Sequence, residues 1–208
     1  MTSFESVTLE VAALAAAHRF YTAFGLGDQI RLRASETPTA GFRGFALALT
    51  VSGPATVDGF IGAALDAGAT PLKAAAKSFW GYGGVVQAPD GTILKVATSA
   101  RKDTGPATRE IDDLVLLLGA TDVAATKRFY LDHGLTVAKS FGRKYVEFAA
   151  VESCPVKLAL YGHRALAKDL GIPADGTGSH RVVLGSAAGP FTDPDGFAWE
   201  LPAPVLTP

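Results

Sequence analysis

Two stretches of this 208-residue chain run through a Pro-Asp-Gly turn into a strand and differ at one chemically decisive position. VQAPDGTILKV (86–96) carries Lys95 where FTDPDGFAWEL (191–201) carries Glu200. In such a turn proline fixes φ, aspartate bonds its own backbone and glycine accepts a positive φ. Alternation along the second strand puts Ala198 and Glu200 on one face, with Phe197 and Trp199 on the other. The aromatic pair suits a core, which leaves Glu200 on the open side, able to ligate a cation or pair with a basic side chain. An ammonium at the matching place repels a cation. A third stretch, KSFWGYGGVVQ (77–87), interleaves Phe79, Trp80 and Tyr82 with Gly81, Gly83 and Gly84. It reads either as an aromatic lip that stacks on a planar organic ligand or as a plug between two halves of the chain. In KSFGRKYVEF (139–148), Tyr145 and Glu147 share a strand face opposite Val146 and Phe148. Arg143 and Lys144 fall at the tip of that hairpin, as a solvated pair or a cationic rim for carboxylates. Cys154 precedes Pro155 with no basic neighbour to form a thiolate, so it reads as inert. No Ser-His-Asp or Cys-His pattern and no Gly-rich phosphate loop is present.

The elements that must position these residues repeat. VTLEVAALAAAHRFYTAFGLG (7–27) matches LVLLLGATDVAATKRFYLDHGL (114–135): strand, loop, a helix ending in RFY, then glycine. Asp122 suits an N-cap, and Gly25 and Gly134 suit helix stops. Val123, Tyr130 and Leu131 fall on one helical face. A strand over 44–51 precedes a helix over 56–68, with Thr56 as its cap, a stripe of Val57, Phe60, Ile61, Ala64 and Leu65, and Gly68 as its end. Strands are expected over 145–150, 156–162 and 180–185, and a short helix over 163–171. GIPADGTGSH (171–180) reads as a flap or a plain connection. SARKDTGPATRE (99–110), polar and without periodicity, reads as the linker between units over 1–98 and 111–208.

Composition narrows the function classes. Lys and Arg number 19 against 20 Asp and Glu, and no basic block extends beyond Arg101-Lys102, so no nucleic-acid partner is expected. Hydrophobic residues make up 48 %, enough for a packed core. No uncharged run approaches the roughly 20 residues that span a bilayer, and no secretory leader is evident; a cytoplasmic protein without membrane contacts is expected. A single cysteine excludes an internal disulfide and a cysteine-based zinc cluster.

HRFYTAFGLG with KRFYLDHGL, and APDGTILKV with DPDGFAWEL, resemble the vicinal oxygen chelate superfamily, which includes glyoxalase I, bleomycin-resistance proteins and extradiol dioxygenases. The resemblance covers 5–99 and 111–202. It implies an α+β fold of tandem βαβββ modules whose mixed sheets curl into cups, one per half. The last module departs from the pattern, since 180–193 leaves no room for its helix. In metal-dependent members, ligands come from the first strand of each module and from the glutamate of the closing strand. Carried over, the first half offers Ser6, then Phe45 or Gly44, then Lys95, which is no cation site. The second half offers His180 and Glu200, with Asp113 or Val115 as the first position. Asp113, His180 and Glu200 would hold Fe, Mn, Ni or Zn; with Val115 only two ligands remain. The resemblance therefore implies a protein that binds a small apolar or aromatic organic molecule without metal, as in antibiotic sequestration. Phe79, Trp80, Tyr82 and Lys95 would line one cup, and Tyr145, His180 and Glu200 the other. The alternative is a metal-dependent lyase, isomerase or ring-cleaving dioxygenase. Duplication within one chain would supply internally the pairing that dimers supply elsewhere, giving a monomer or a homodimer.

Overall fold

The computed structural model describes residues 3–142, 144–151 and 154–202. Four strand–helix units follow one another. The first holds β1 (Phe4–Val11), α1 (Leu14–Phe24), β2 (Arg31–Ala34) and β3 (Thr39–Gly41). The second holds β4 (Phe45–Thr50), α2 (Pro54–Asp66), β5 (Thr70–Ser78), β6 (Gly81–Gln87) and β7 (Ile93–Thr98). The third holds β8 (Asp113–Ala120), α3 (Val123–Asp132), β9 (Val137–Phe141), β10 (Tyr145–Phe148) and β11 (Val156–Gly162). The last holds α4 (His163–Leu170), β12 (Gly176–Gly178), β13 (Val182–Ser186), β14 (Phe191–Thr192) and β15 (Ala198–Glu200), and no helix separates β13 from β14.

The units do not pair within their own halves. An eight-stranded sheet in the order β5-β6-β7-β4-β8-β11-β10-β9 joins the second unit to the third, with β4 antiparallel to β8 from Phe45↔Leu118 to Thr50↔Asp113. A five-stranded sheet in the order β14-β15-β13-β1-β2 joins the first unit to the last, with β1 antiparallel to β13. Both sheets mix parallel and antiparallel pairs. The expectation of one cup per half is therefore corrected: each sheet takes strands from both halves. The reason is edge chemistry. The first strand of each unit is an unpaired edge until the first strand of another unit completes its ladder.

Alternation along the strands builds the core. Leu47 and Leu49 on β4, Leu94 and Val96 on β7, Leu114, Leu116 and Leu118 on β8, and Leu158 and Leu160 on β11 are buried on one face. Val7, Leu9, Leu184 and Trp199 of the five-stranded sheet belong to the same cluster, as do Phe20, Tyr21 and Phe24 of α1. The repeated RFY and Pro-Asp-Gly segments meet there. Tyr21 on α1 donates to Asp90 in the β6–β7 turn at 3.0 Å, and Tyr130 on α3 donates to Asp193 in the β14–β15 turn. Each bond links the helix following one sheet to a turn of the other, so the duplicated motif latches the two sheets together. Burial pushes both phenols well above the ordinary value of 10.0, and the neighbouring aspartates add to the effect.

Asp122 caps α3 through the amides of Ala124 and Ala125, and Gly25 ends α1 in the left-handed region at φ 101°. The start of α2 differs from the expected one. It begins at Pro54 after Gly53, and Thr56, already inside the first turn, is buried and accepts from Thr108 N at 3.1 Å. Leu65 and Leu131 lie at the edges of their helical stripes, 39 % and 43 % exposed. Residues 171–180 are not a free flap, because Gly176–Gly178 pairs with Thr39–Gly41. Cys154 is buried in a loop, and burial raises its thiol pKa. Among the described residues no helix is long and apolar enough to cross a membrane.

Candidate functional site

The face of the eight-stranded sheet turned away from the core carries Lys95, Tyr145 and Asp113 among the predicted site residues. Register pairs run Lys73↔Val85, Val85↔Lys95, Lys95↔Ala48, Ala48↔Val115 and Val115↔Lys157, so one level row crosses six strands. That row holds three lysines and no carboxylate. Helix α4 lies on the same face. Its Leu166, Ala167 and Leu170 pack with Phe42, Ala46, Val85 and Ile93 in a second hydrophobic cluster. The helix therefore fills part of the surface that the sequence resemblance assigned to a ligand. Its Asp169 reaches Lys95 Nζ at 2.5 Å through Oδ2, while its carbonyl accepts from Lys73 Nζ at 2.9 Å.

Beside α4 a cavity of about 390 Å³ remains, lined by Lys73, Lys77, Trp80, Tyr82, Lys95 and Asp169 over a floor that includes Gly83, Val85 and Ala97. Phe79 and Trp80 form the tip of the β5–β6 hairpin, 78 % and 82 % exposed, with rings edge to face at 5.0 Å. These exposures exclude the plug for Phe79 and Trp80, while Tyr82 packs against the core. Tyr82 donates to Asp58 at 2.8 Å, and this bond raises its pKa. The interleaved glycines answer to the sheet itself. A Cβ on Gly81, at φ 133°, would lie 2.0 Å from the carbonyl oxygen of Thr98, and one on Gly83 would lie 2.8 Å from that of Val96.

Tyr145 also belongs to this sheet, not to the neighbourhood of Glu200, which corrects its expected grouping. Its hydroxyl donates to Glu147 at 3.0 Å, and its pKa is raised by burial and by that carboxylate. Glu147 in turn meets Lys139 at 3.3 Å. Arg143 lies outside the described residues.

The five-stranded sheet bears a second cavity, about 470 Å³, lined by Glu10, Arg33, Ser179, His180 and Glu200 among others. Arg33 bridges two strands, donating to Glu10 at 3.0 Å and to Glu200 at 2.9 Å, and the bond to Glu200 leads the causes that raise its own pKa. His180 stacks on Phe197 at 4.1 Å. Its Nδ1 faces the Arg43 carbonyl at 2.6 Å and its Nε2 that of Asp195 at 3.1 Å.

The set Asp113, His180 and Glu200 is not assembled. Asp113 lies on β8 in the eight-stranded sheet, tied to Lys157, while Glu200 lies in the five-stranded sheet with His180 just before β13. Glu200 Oε2 is engaged by a guanidinium and both ring nitrogens of His180 face carbonyls, so the three residues do not converge on one point. Among the described residues no group of three or more His, Cys, Asp or Glu is placed to hold a metal ion. Val115, the other candidate for the first position, sits in the lysine row. Lys73, Lys77, Asp169, Glu10 and Arg33 escaped sequence reasoning. Lys73, Asp169 and Arg33 act through a neighbour from a distant unit, and no local spacing marks them.

No family model and no curated sequence matches the chain. Solved structures do. A V278E variant of glyoxalase I from Zea mays superposes with a TM-score of 0.57 at 16 % identity, covering 97 % of this chain and 92 % of that one. Unaltered glyoxalase I from Zea mays gives 0.53 at 16 % identity, over 89 % and 75 %. A putative dioxygenase from Bacillus subtilis gives 0.51 at 10 % identity, over 88 % and 69 %. The chain thus has the fold of glyoxalase I and of that dioxygenase, which the repeated motifs implied.

Proposed function

We propose that this protein, built on the glyoxalase fold, binds a small organic molecule with a planar apolar body and a carboxylate, without a metal ion. The ligand enters the 390 Å³ cavity beside α4, its ring against Trp80 and its carboxylate toward Lys73 and Lys95. The observation that carries this reading is the joint lining of that cavity by the exposed Trp80 and by Lys73 and Lys95, which both bond to Asp169. Ring stacking and charge-assisted hydrogen bonds together suffice for micromolar to millimolar recognition. The metal-free part is supported by the donor geometry, in which the candidate ligands are divided between two sheets and already engaged. The glyoxalase and dioxygenase names of the fold relatives give no warrant for either reaction here, because activity resides in the site and not in the fold.

The test uses the protein's own fluorescence. The two tryptophans are Trp80 and the buried Trp199. Titration with benzoate, indole-3-acetate and uncharged indole should quench or shift the Trp80 signal most strongly for the aromatic carboxylates. Trp80→Phe and Lys95→Ala should weaken them. A flat response to every aromatic, or equal affinity in the Lys95→Ala variant, would overturn the assignment. Stoichiometric divalent metal in protein purified without chelator would overturn its metal-free part.

A further inference from the structure

A third cavity, about 180 Å³, shares no lining residue with the other two and plays no part in the reading above. It is lined by the start of α1 (Ala12, Ala13, Ala16), by Phe20, and by Arg43 and Arg181. Arg181 is only 8 % exposed. Its side chain donates to the Ser35 carbonyl, and its Nε, fully buried, has no partner. Arg43 donates through Nη2 to the Asp90 carbonyl, and its Nη1, also buried, has no partner. Among the described residues neither guanidinium is in an ion pair. Asp90 is the nearest acid named in the lining, but its oxygens accept from Tyr21 at 3.0 Å and from the Thr92 hydroxyl at 2.7 Å. Burial depresses the Arg43 pKa, and the charge on Arg181 adds to that while Asp90 opposes it.

The helix end supplies the second half of the argument. Ala13 is the N-cap of the eleven-residue α1, no side chain caps its amides, and its first turn has no acidic residue. A helix start without a cap leaves backbone N–H groups and a partial positive charge directed outward. Two guanidinium groups outside any ion pair therefore line one small cavity beside the first turns of α1. Burying cations without an anion is costly, and a buried donor without an acceptor adds to the cost. The alanines at the mouth are exposed, which leaves a way in from solvent.

We propose that this cavity is a binding site for a small carboxylic acid. The carboxylate is held by the guanidinium groups of Arg43 and Arg181, and a short apolar tail lies against the alanines and Phe20. Oxyanion capture at helix starts is general, and arginine suits it through planar donors. The apolar wall selects an organic acid over inorganic phosphate, and the volume limits it to a few heavy atoms beyond the carboxylate.

Thermal unfolding and calorimetry on the intact chain test this, with butyrate, inorganic phosphate and chloride at matched ionic strength. Butyrate should raise the melting temperature saturably above the chloride control. Arg43→Gln should weaken butyrate by about tenfold or more, the loss of one charge-assisted hydrogen bond. Since Arg43→Gln could unfold the protein, Ala16→Asp provides an independent check at an exposed position. It places an internal carboxylate at the mouth and should abolish the butyrate response without loss of folding. Lys139→Ala, on the exposed edge strand β9, should leave the response intact. A response to phosphate alone would overturn the organic-acid assignment. No response above chloride, or one that survives Ala16→Asp, would overturn the site.

Discussion

Replacing Asp169 by asparagine offers a sharp test of the proposed ligand class. The Asp169 carboxylate contacts Lys95 Nζ at 2.5 Å, where an incoming ligand carboxylate would compete with it. The side chains are 29 % exposed for Lys95 and 39 % for Asp169, so solvent screens the pair. Unit charges a few ångströms apart interact by about 1 kcal/mol in water and about 4 kcal/mol in a partly shielded surface setting. Measured pairs of this exposure contribute about 0–1 kcal/mol net. Asp169→Asn is nearly isosteric and leaves the carbonyl bond from Lys73 in place. The variant should therefore lose less than about 1 kcal/mol of stability in urea unfolding. It should bind benzoate about fivefold more tightly, because about 1 kcal/mol of competition is removed. Uncharged indole should bind both proteins equally. Fluorescence titrations at low and high salt read all three, and the gain should shrink as salt rises. If benzoate affinity is unchanged or falls while the variant remains folded, the carboxylate is not recognised at Lys95.

Leu170→Ala should cost about 2–5 kcal/mol in urea unfolding, since Leu170 is fully buried between α4 and the sheet. Leu65→Ala, partly exposed at the edge of its stripe, should cost much less. Asp122→Ala removes the acceptor for two amides at the start of α3 and should cost about 1 kcal/mol by the same assay. The tyrosine latches predict a pH dependence. Tyr21 and Tyr130 have folded pKa values raised above 10.0, so above pH 10 the native state retains protons that the unfolded chain releases. Their contribution is complete below pH 10 and is lost as pH rises from there toward the folded values. The slope is about 1.4 kcal/mol per pH unit for each tyrosine. Tyr130→Phe should lower the measured slope by about 1.4 kcal/mol per pH unit in unfolding followed above pH 10; an unaltered slope would refute the latch.

Local patterns made most elements legible. The alternation that separates Glu200 from Trp199, the Asp122 cap and the Gly25 stop all depend on neighbours within a turn or two, and all stand in the structure. The pairing of units was not legible, because any first strand of one repeat offers the same edge to any other. That ambiguity grouped Tyr145 with Glu200 and Asp113 with His180. The bonds Arg33–Glu200 and Lys95–Asp169 also span distant units, so no spacing announces them. Thr56 was placed at a cap because threonine suits one, but Gly53 followed by Pro54 set an earlier start. The cavity at α1 left no trace at all, since an alanine-rich helix start lacks the polar letters that draw attention.

The ladder between β1 and β13 joins nearly opposite ends of the described chain, Phe4 to Ser186. A ribosome adds roughly 5–20 residues per second, so the first strand emerges tens of seconds before the segment that completes its sheet. Over that interval Val7, Leu9 and Val11 form an apolar ribbon with an open edge, vulnerable to sticking to any similar strand nearby. Meanwhile the central sheet can close from β4 through β11. The nascent polypeptide thus matures from β4–β11 outward, and β1 is among the last strands to dock.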